Sequence, residues 1–123
     1  MISIEFPEYS SVEALLRACV VFKFKCTGES DLYIGSPLYA AAVNSVFNTV
    51  IDYHISAGRS DIANKWIETY DLERHPERAK FVREYALKHP KWDSLDGQQR
   101  RDWVDVVAAP YRMSDEDYTK YID

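Results

Sequence analysis

Apolar residues recur at helical spacing through most of this chain, and the longest such pattern covers positions 36–58, SPLYAAAVNSVFNTVIDYHISAG. Ser36 suits the capping position, Pro37 the first helical position where no N–H is needed, and Gly58 the left-handed conformation that closes a helix. From Leu32 to Gly58 the sole acidic or basic side chain, His54 aside, is Asp52. A helix this apolar is wrapped by the rest of its fold, so 37–57 is predicted as the central helix. Tyr39, Val43, Val46, Phe47, Val50 and Ile51 make its broad apolar surface. Ser45, Asn48, Thr49, Asp52 and Ser56 form the opposite ridge, polar yet nearly uncharged, which marks it for cover by the N-terminal segment, for self-association as a homodimer, or for solvent.

The remaining pattern is read around that helix. Ile2, Ile4 and Phe6 alternate with Ser3 and Glu5 until Pro7, the period of a short half-buried strand and hence a small N-terminal β element. Ser10 and Glu13 have capping-box spacing, and Val12, Leu15, Leu16, Cys19 and Val20 then share one face of a helix over 11–20. Phe22, Phe24 and Cys26 alternate with Lys23 and Lys25, and a turn signal at 27–30 precedes a second apolar stretch at 31–35. A β-hairpin over 20–35 is therefore preferred to an extension of the first helix through Phe24.

After Gly58, Ser60 opens a helix to Tyr70 with Ile62, Trp66 and Ile67 inward. Pro76 starts another that stops before Pro90, burying Phe81, Val82, Tyr85 and Ala86. Ser94 or Asp96 caps the next, which ends at Pro110 and carries Trp103, Val106 and Val107 on one side, with Trp92 reaching back over its first turn. Ser114 with Asp117 opens a last short helix whose acidic start suits the helix dipole. The connections are short, so successive helices pack as neighbours. The expected architecture is mainly α: one domain over residues 1–123, a compact bundle of five or six helices around 37–57.

Composition agrees with a folded domain, since 46% of residues are apolar and 28% charged. Two cysteines, Cys19 and Cys26, give no disulfide framework, and at two helical turns apart they stand too far from each other to bond. No basic leader or long apolar run is present, so a cytoplasmic protein with no membrane partner is expected. The net charge of −5 argues against general affinity for nucleic acid. That charge is uneven, because 74–91 holds six Lys/Arg and two Glu, leaving −9 elsewhere.

Catalytic and metal-site patterns are not legible. His75 and His89 each precede a proline at a helix boundary and read as turn residues. His54 lies with Phe47, Val50 and Ile51 on the central helix and reads as a core residue; Asp52, two positions away, points elsewhere. Neither a paired cysteine motif nor a phosphate-binding glycine loop occurs, so no metal, cofactor or enzymatic activity is expected. Two surfaces remain. Tyr111, Arg112, Asp115, Glu116, Asp117, Tyr118 and Tyr121 combine hot-spot residue types with carboxylates that steer a basic partner, and suggest a protein-binding module, an inhibitor of the toxin-immunity or phage anti-defence type. Arg74, Arg78, Arg83, Arg100 and Arg101 are the alternative, a nucleic-acid-associated regulator.

Overall fold

The computed structural model describes residues 2–25 and 28–122, and is mainly helical. Seven α-helices follow one another among these residues: α1 (Tyr9–Lys23), α2 (Asp31–Ile34), α3 (Pro37–Ser56), α4 (Ser60–Thr69), α5 (Pro76–Leu87), α6 (Gly97–Ala108) and α7 (Asp115–Ile122). Short 3₁₀ turns at Leu72–Arg74 and Trp92–Ser94 lead into α5 and α6. As expected, α3 is the central helix, packed by α1, α4 and α6, while α5 lies against α6 and α6 against α7. Phe47, Val43 and Val50 of α3 are enclosed with Leu16, Ile34, Leu72, Val82, Val104 and Val107.

Both ends of α3 are built as its residue types demand. The Ser36 hydroxyl accepts from the Tyr39 N–H at 3.2 Å, and Pro37 occupies the first turn. At the other end Gly58 has φ +75°, with Gly58 N–H on the Ile55 carbonyl at 3.0 Å and Arg59 N–H on that of His54 at 2.8 Å. This paired closure is the Schellman arrangement, which needs a residue free to enter the left-handed region. At α6, Asp96 and Gln99 form a complete capping box, and Ser114 caps α7 by accepting from the Asp117 N–H at 3.2 Å.

The N-terminal third departs from expectation. Residues 2–6 pair with no strand, and Ile2 and Ile4 stand in solvent at 95% and 75% exposure while Phe6 packs on the core. Two-residue alternation needs a neighbouring ladder to become a strand, and among the described residues none lies beside it. The helix α1 begins at Tyr9, so Ser10 is inside it and Glu13 pairs with Arg17 at 3.4 Å instead of closing a capping box.

The hairpin over 20–35 is replaced by continuation of α1 to Lys23 and by the helical turn α2. Cys26 and Thr27 lie outside the described residues. The reason for the misreading is Lys23, which is fully buried. Its amine donates to the carbonyls of Val106 and Ala109, both at 2.8 Å, and so caps the C-terminal end of α6. A lysine at an inward helical position made the segment look like alternating apolar-in, polar-out. Burial lowers this amine from 10.5 to about 7, and among the described residues no carboxylate pairs with it.

Candidate functional site

The sequence-predicted contact residues divide into anchors and surface. Tyr111, Tyr118 and Tyr121 are buried. The Tyr111 ring lies 5.1 Å from that of Tyr70 and 5.6 Å from that of Phe24, and burial raises its hydroxyl above the usual range. Tyr121 reaches the Ala79 carbonyl at 3.4 Å and is pushed up to about 12 by burial and then by Glu73 and Asp117. These rings dock the chain's last helix on the bundle; Arg112, Asp115 and Glu116 remain exposed and Asp117 half-buried.

Arg112 is positioned from both sides. Its N–H donates to the Tyr70 carbonyl at 2.9 Å and its carbonyl accepts from the Leu72 N–H at 2.8 Å, an isolated bridge that ties the end of α4 to the segment before α7. Its guanidinium lies 4.7 Å from the Phe47 ring centre and donates to Asn48 Oδ1 at 2.7 Å. Beside it the Tyr118 hydroxyl donates to the Asp105 carboxylate. Asn44, Asn48, Asp105, Tyr111, Arg112, Met113 and Tyr118 thus line an open depression of about 410 Å³ between α3, α6 and the start of α7. Partial burial pushes the Asp105 carboxyl up to about 6, against the pull of Arg101. A concavity presenting two amides, one guanidinium and one carboxyl is equipped to bind polar groups of both charges.

Asp105 and Asn44 escaped sequence reasoning, and Asn48 was read only as part of the polar ridge of the central helix. Asn44 and Asn48 are spaced four apart on α3, and Asp105 interrupts the apolar run WVDVV. Those were the available signals, but only packing of α6 across α3 brings the three together.

The basic residues behave differently. Arg78 lies 4.6 Å from the Phe24 ring centre and 5.4 Å from that of Tyr111, with Nη1 buried and without a hydrogen-bond partner among the described residues. Arg100 covers Trp92 at 4.7 Å and donates to its carbonyl at 3.1 Å. Arg101 covers Tyr118 at 4.0 Å and pairs with Asp115 at 2.5 Å. Arg74 pairs with Glu68 at 3.7 Å. Arg83 alone of the five is exposed with no ion pair among the described residues. With Arg17, Arg59 and Arg112 also lying over aromatic rings, most guanidinium groups are held against the fold by cation–π contact.

No family model, curated protein or solved structure matches this chain.

The histidines sit where local structure puts them. His75 Nε2 contacts the Thr69 carbonyl at 2.5 Å and His89 Nδ1 accepts from the Lys91 N–H at 3.0 Å. His54 is buried, with Nε2 at 2.7 Å from the Tyr9 hydroxyl and Nδ1 without a partner among the described residues. Tyr9 stacks on Tyr53 at 4.0 Å and is pushed up to about 12 by burial, with Glu13 adding to the rise. Asp52 is exposed and takes no part in this cluster. Among the described residues no group of three or more His, Cys, Asp or Glu is arranged around a metal position, and no helix is long and apolar enough to cross a membrane.

Proposed function

We propose that this chain is a non-catalytic protein-binding module, a small inhibitor of another protein in the manner of toxin-immunity or phage anti-defence proteins, working in the cytoplasm. The observation that carries this reading is the depression in which Asn44, Asn48, Asp105 and Arg112 converge, with the exposed carboxylates of Asp115 and Glu116 following in sequence at the start of α7. Asn44, Asn48 and Asp105 stand on α3 and α6, and Arg112 is fixed by its backbone bonds to Tyr70 and Leu72, so these groups are pre-organised, which lowers the ordering cost of association. The charge pattern favours a protein with a basic contact surface. Most arginines of the basic segment are spent on rings and ion pairs, so the side chains free to meet a partner are mainly acidic, and such a surface steers a basic one.

The test is affinity capture of the tagged chain from its host, with and without nuclease, followed by the variants Asp105→Lys and Arg112→Glu. A stoichiometric protein that survives nuclease and is lost from both variants, while their helical circular dichroism is retained, is the expected result. Capture that disappears with nuclease and with Arg78→Glu and Arg83→Glu would replace this reading with the nucleic-acid-associated one.

A further inference from the structure

The depression between α3, α6 and the start of α7 holds more hydrogen-bonding capacity than the fold itself uses. Arg112 commits one guanidinium donor to Asn48 Oδ1, which leaves its other N–H groups and the amide N–H groups of Asn48 uncommitted. The Asp105 carboxylate accepts from the Tyr118 hydroxyl through one oxygen and keeps the other. The Asn44 amide has no hydrogen-bond partner among the described residues. By contrast, the Ser45 and Thr49 hydroxyls of the same helix donate to the Ala41 and Ser45 carbonyls, both at 2.9 Å, so those ridge residues are satisfied by α3 itself.

Charge decides what chemistry fits. Arg112 and Asp105 are the two formal charges in the lining, and they are opposite. A lone cation drawn to Asp105 meets Arg112, and a lone anion drawn to Arg112 meets Asp105. A molecule carrying both signs a few bonds apart finds an opposite charge for each end. We propose that the depression binds a free α-amino acid, its carboxylate accepting from Arg112 and the Asn48 amide and its ammonium donating to Asp105 and the Asn44 amide oxygen. Bonds with an ionised partner on both sides are the strong members of their class. The volume of about 410 Å³ is that of a small-molecule site. Met113, half-buried in the lining, offers an adaptable apolar wall to the ligand's side chain, so leucine is held better than glycine. This goes beyond the protein-binding reading, because it is a property of the isolated chain and needs no protein partner.

Occupancy of this site depends on pH. The charged or titratable groups around Asp105 are Arg101 and Asp102 of its own helix, Arg112 before α7, and Tyr111 and Tyr118, while α3 brings only amides to the lining. Arg101 is also paired with Asp115. Partial burial pushes the Asp105 carboxyl up to about 6, so at pH 5 it is mostly protonated and presents no charge to an ammonium. An α-amino acid is zwitterionic at both pH 5 and pH 7. Its binding is therefore linked to loss of the Asp105 proton and strengthens by about 10-fold between those values.

Heteronuclear NMR titration of the full chain with leucine tests this. At pH 7 leucine is expected to shift the side-chain amide signals of Asn44 and Asn48 and the Met113 N–H, saturating with a Kd on the order of 1 mM. Isoamylamine and isocaproate, which are leucine without its carboxylate and leucine without its amine, are each expected to bind about 10-fold more weakly or worse. Asp105→Asn and Arg112→Gln are each expected to weaken leucine about 10-fold with helical circular dichroism retained, and Asp105→Asn to abolish the pH dependence. No shift at about 20 mM leucine, either single-charge analogue binding as tightly as leucine, or a wild-type affinity that is flat from pH 5 to pH 7 would overturn the proposal. The analogues and the pH series act on the wild type, so they decide even where a variant does not fold. Leucine binding without capture of a protein partner removes the protein-binding reading alone, and capture without leucine binding removes this one alone.

Discussion

The buried amine of Lys23 makes the stability of this fold depend on pH in a direction that can be worked out in advance. Free in an unfolded chain the amine titrates at 10.5, whereas in the folded protein burial brings it to about 7. Between those values the unfolded chain binds a proton that the folded chain does not. Stability therefore rises with pH across that window and is independent of this group below pH 7, where both states are protonated. Linkage between the two values gives a rise of about 2.3 kcal/mol from pH 7 to pH 9. The stereochemistry agrees, since a neutral amine has two N–H donors and the site offers two carbonyls, Val106 and Ala109, leaving the third proton of an ammonium without a carboxylate. Above pH 10 the slope reverses. Tyr9 and Tyr121 are held up to about 12 in the fold, so the unfolded chain loses their protons first and stability falls.

Urea unfolding followed by tryptophan fluorescence at pH 7, 8 and 9 measures the rise. Lys23→Met removes it and leaves the two carbonyls without their donor, at about 1–3 kcal/mol each. Its cost is expected to be about 2 kcal/mol larger at pH 9 than at pH 7. A wild-type stability that is flat between pH 7 and 9, or a Lys23→Met variant that keeps the wild-type slope, would refute the reasoning.

Three further outcomes follow from the same structure. A Cβ on Gly35 would lie 2.7 Å from Trp103, whose indole N–H is engaged by the Ala86 carbonyl at 3.2 Å; Gly35→Ala is expected to cost about 1–3 kcal/mol in thermal unfolding and to shift tryptophan emission. Asp96→Ala removes the bond to the Gln99 N–H at 2.8 Å and is expected to cost about 1 kcal/mol by urea titration. Asp105 keeps its proton to about pH 6 in the fold against 3.8 in the unfolded chain, so its contribution falls as pH rises through that window, and Asp105→Asn should flatten the stability profile between pH 4 and 6.

Local chemistry alone determined a large part of this molecule. Ser36, Pro37 and Gly58 mark the ends of α3 because capping and left-handed closure depend on the backbone within one turn. Pro76, Pro90, Asp96 and Ser114 mark later boundaries for the same reason. The burial of His54 and the turn roles of His75 and His89 were legible too, since helical periodicity and a following proline constrain them. What the sequence could not decide was direction. Lys23 reads as a solvent-facing charge until the fold brings two carbonyls at the C-terminal end of α6 to its amine. Leu15 reads as core until the packing of α1 on α3 turns it outward. Tyr111, Tyr118 and Tyr121 look like contact residues and serve as anchors, because an aromatic ring in a short helix is apolar cargo as readily as it is a hot spot. Asn44, Asn48 and Asp105 become a site only through the crossing of α3 and α6. Each of these is a long-range juxtaposition, and local patterns carry no term for which helix lies opposite.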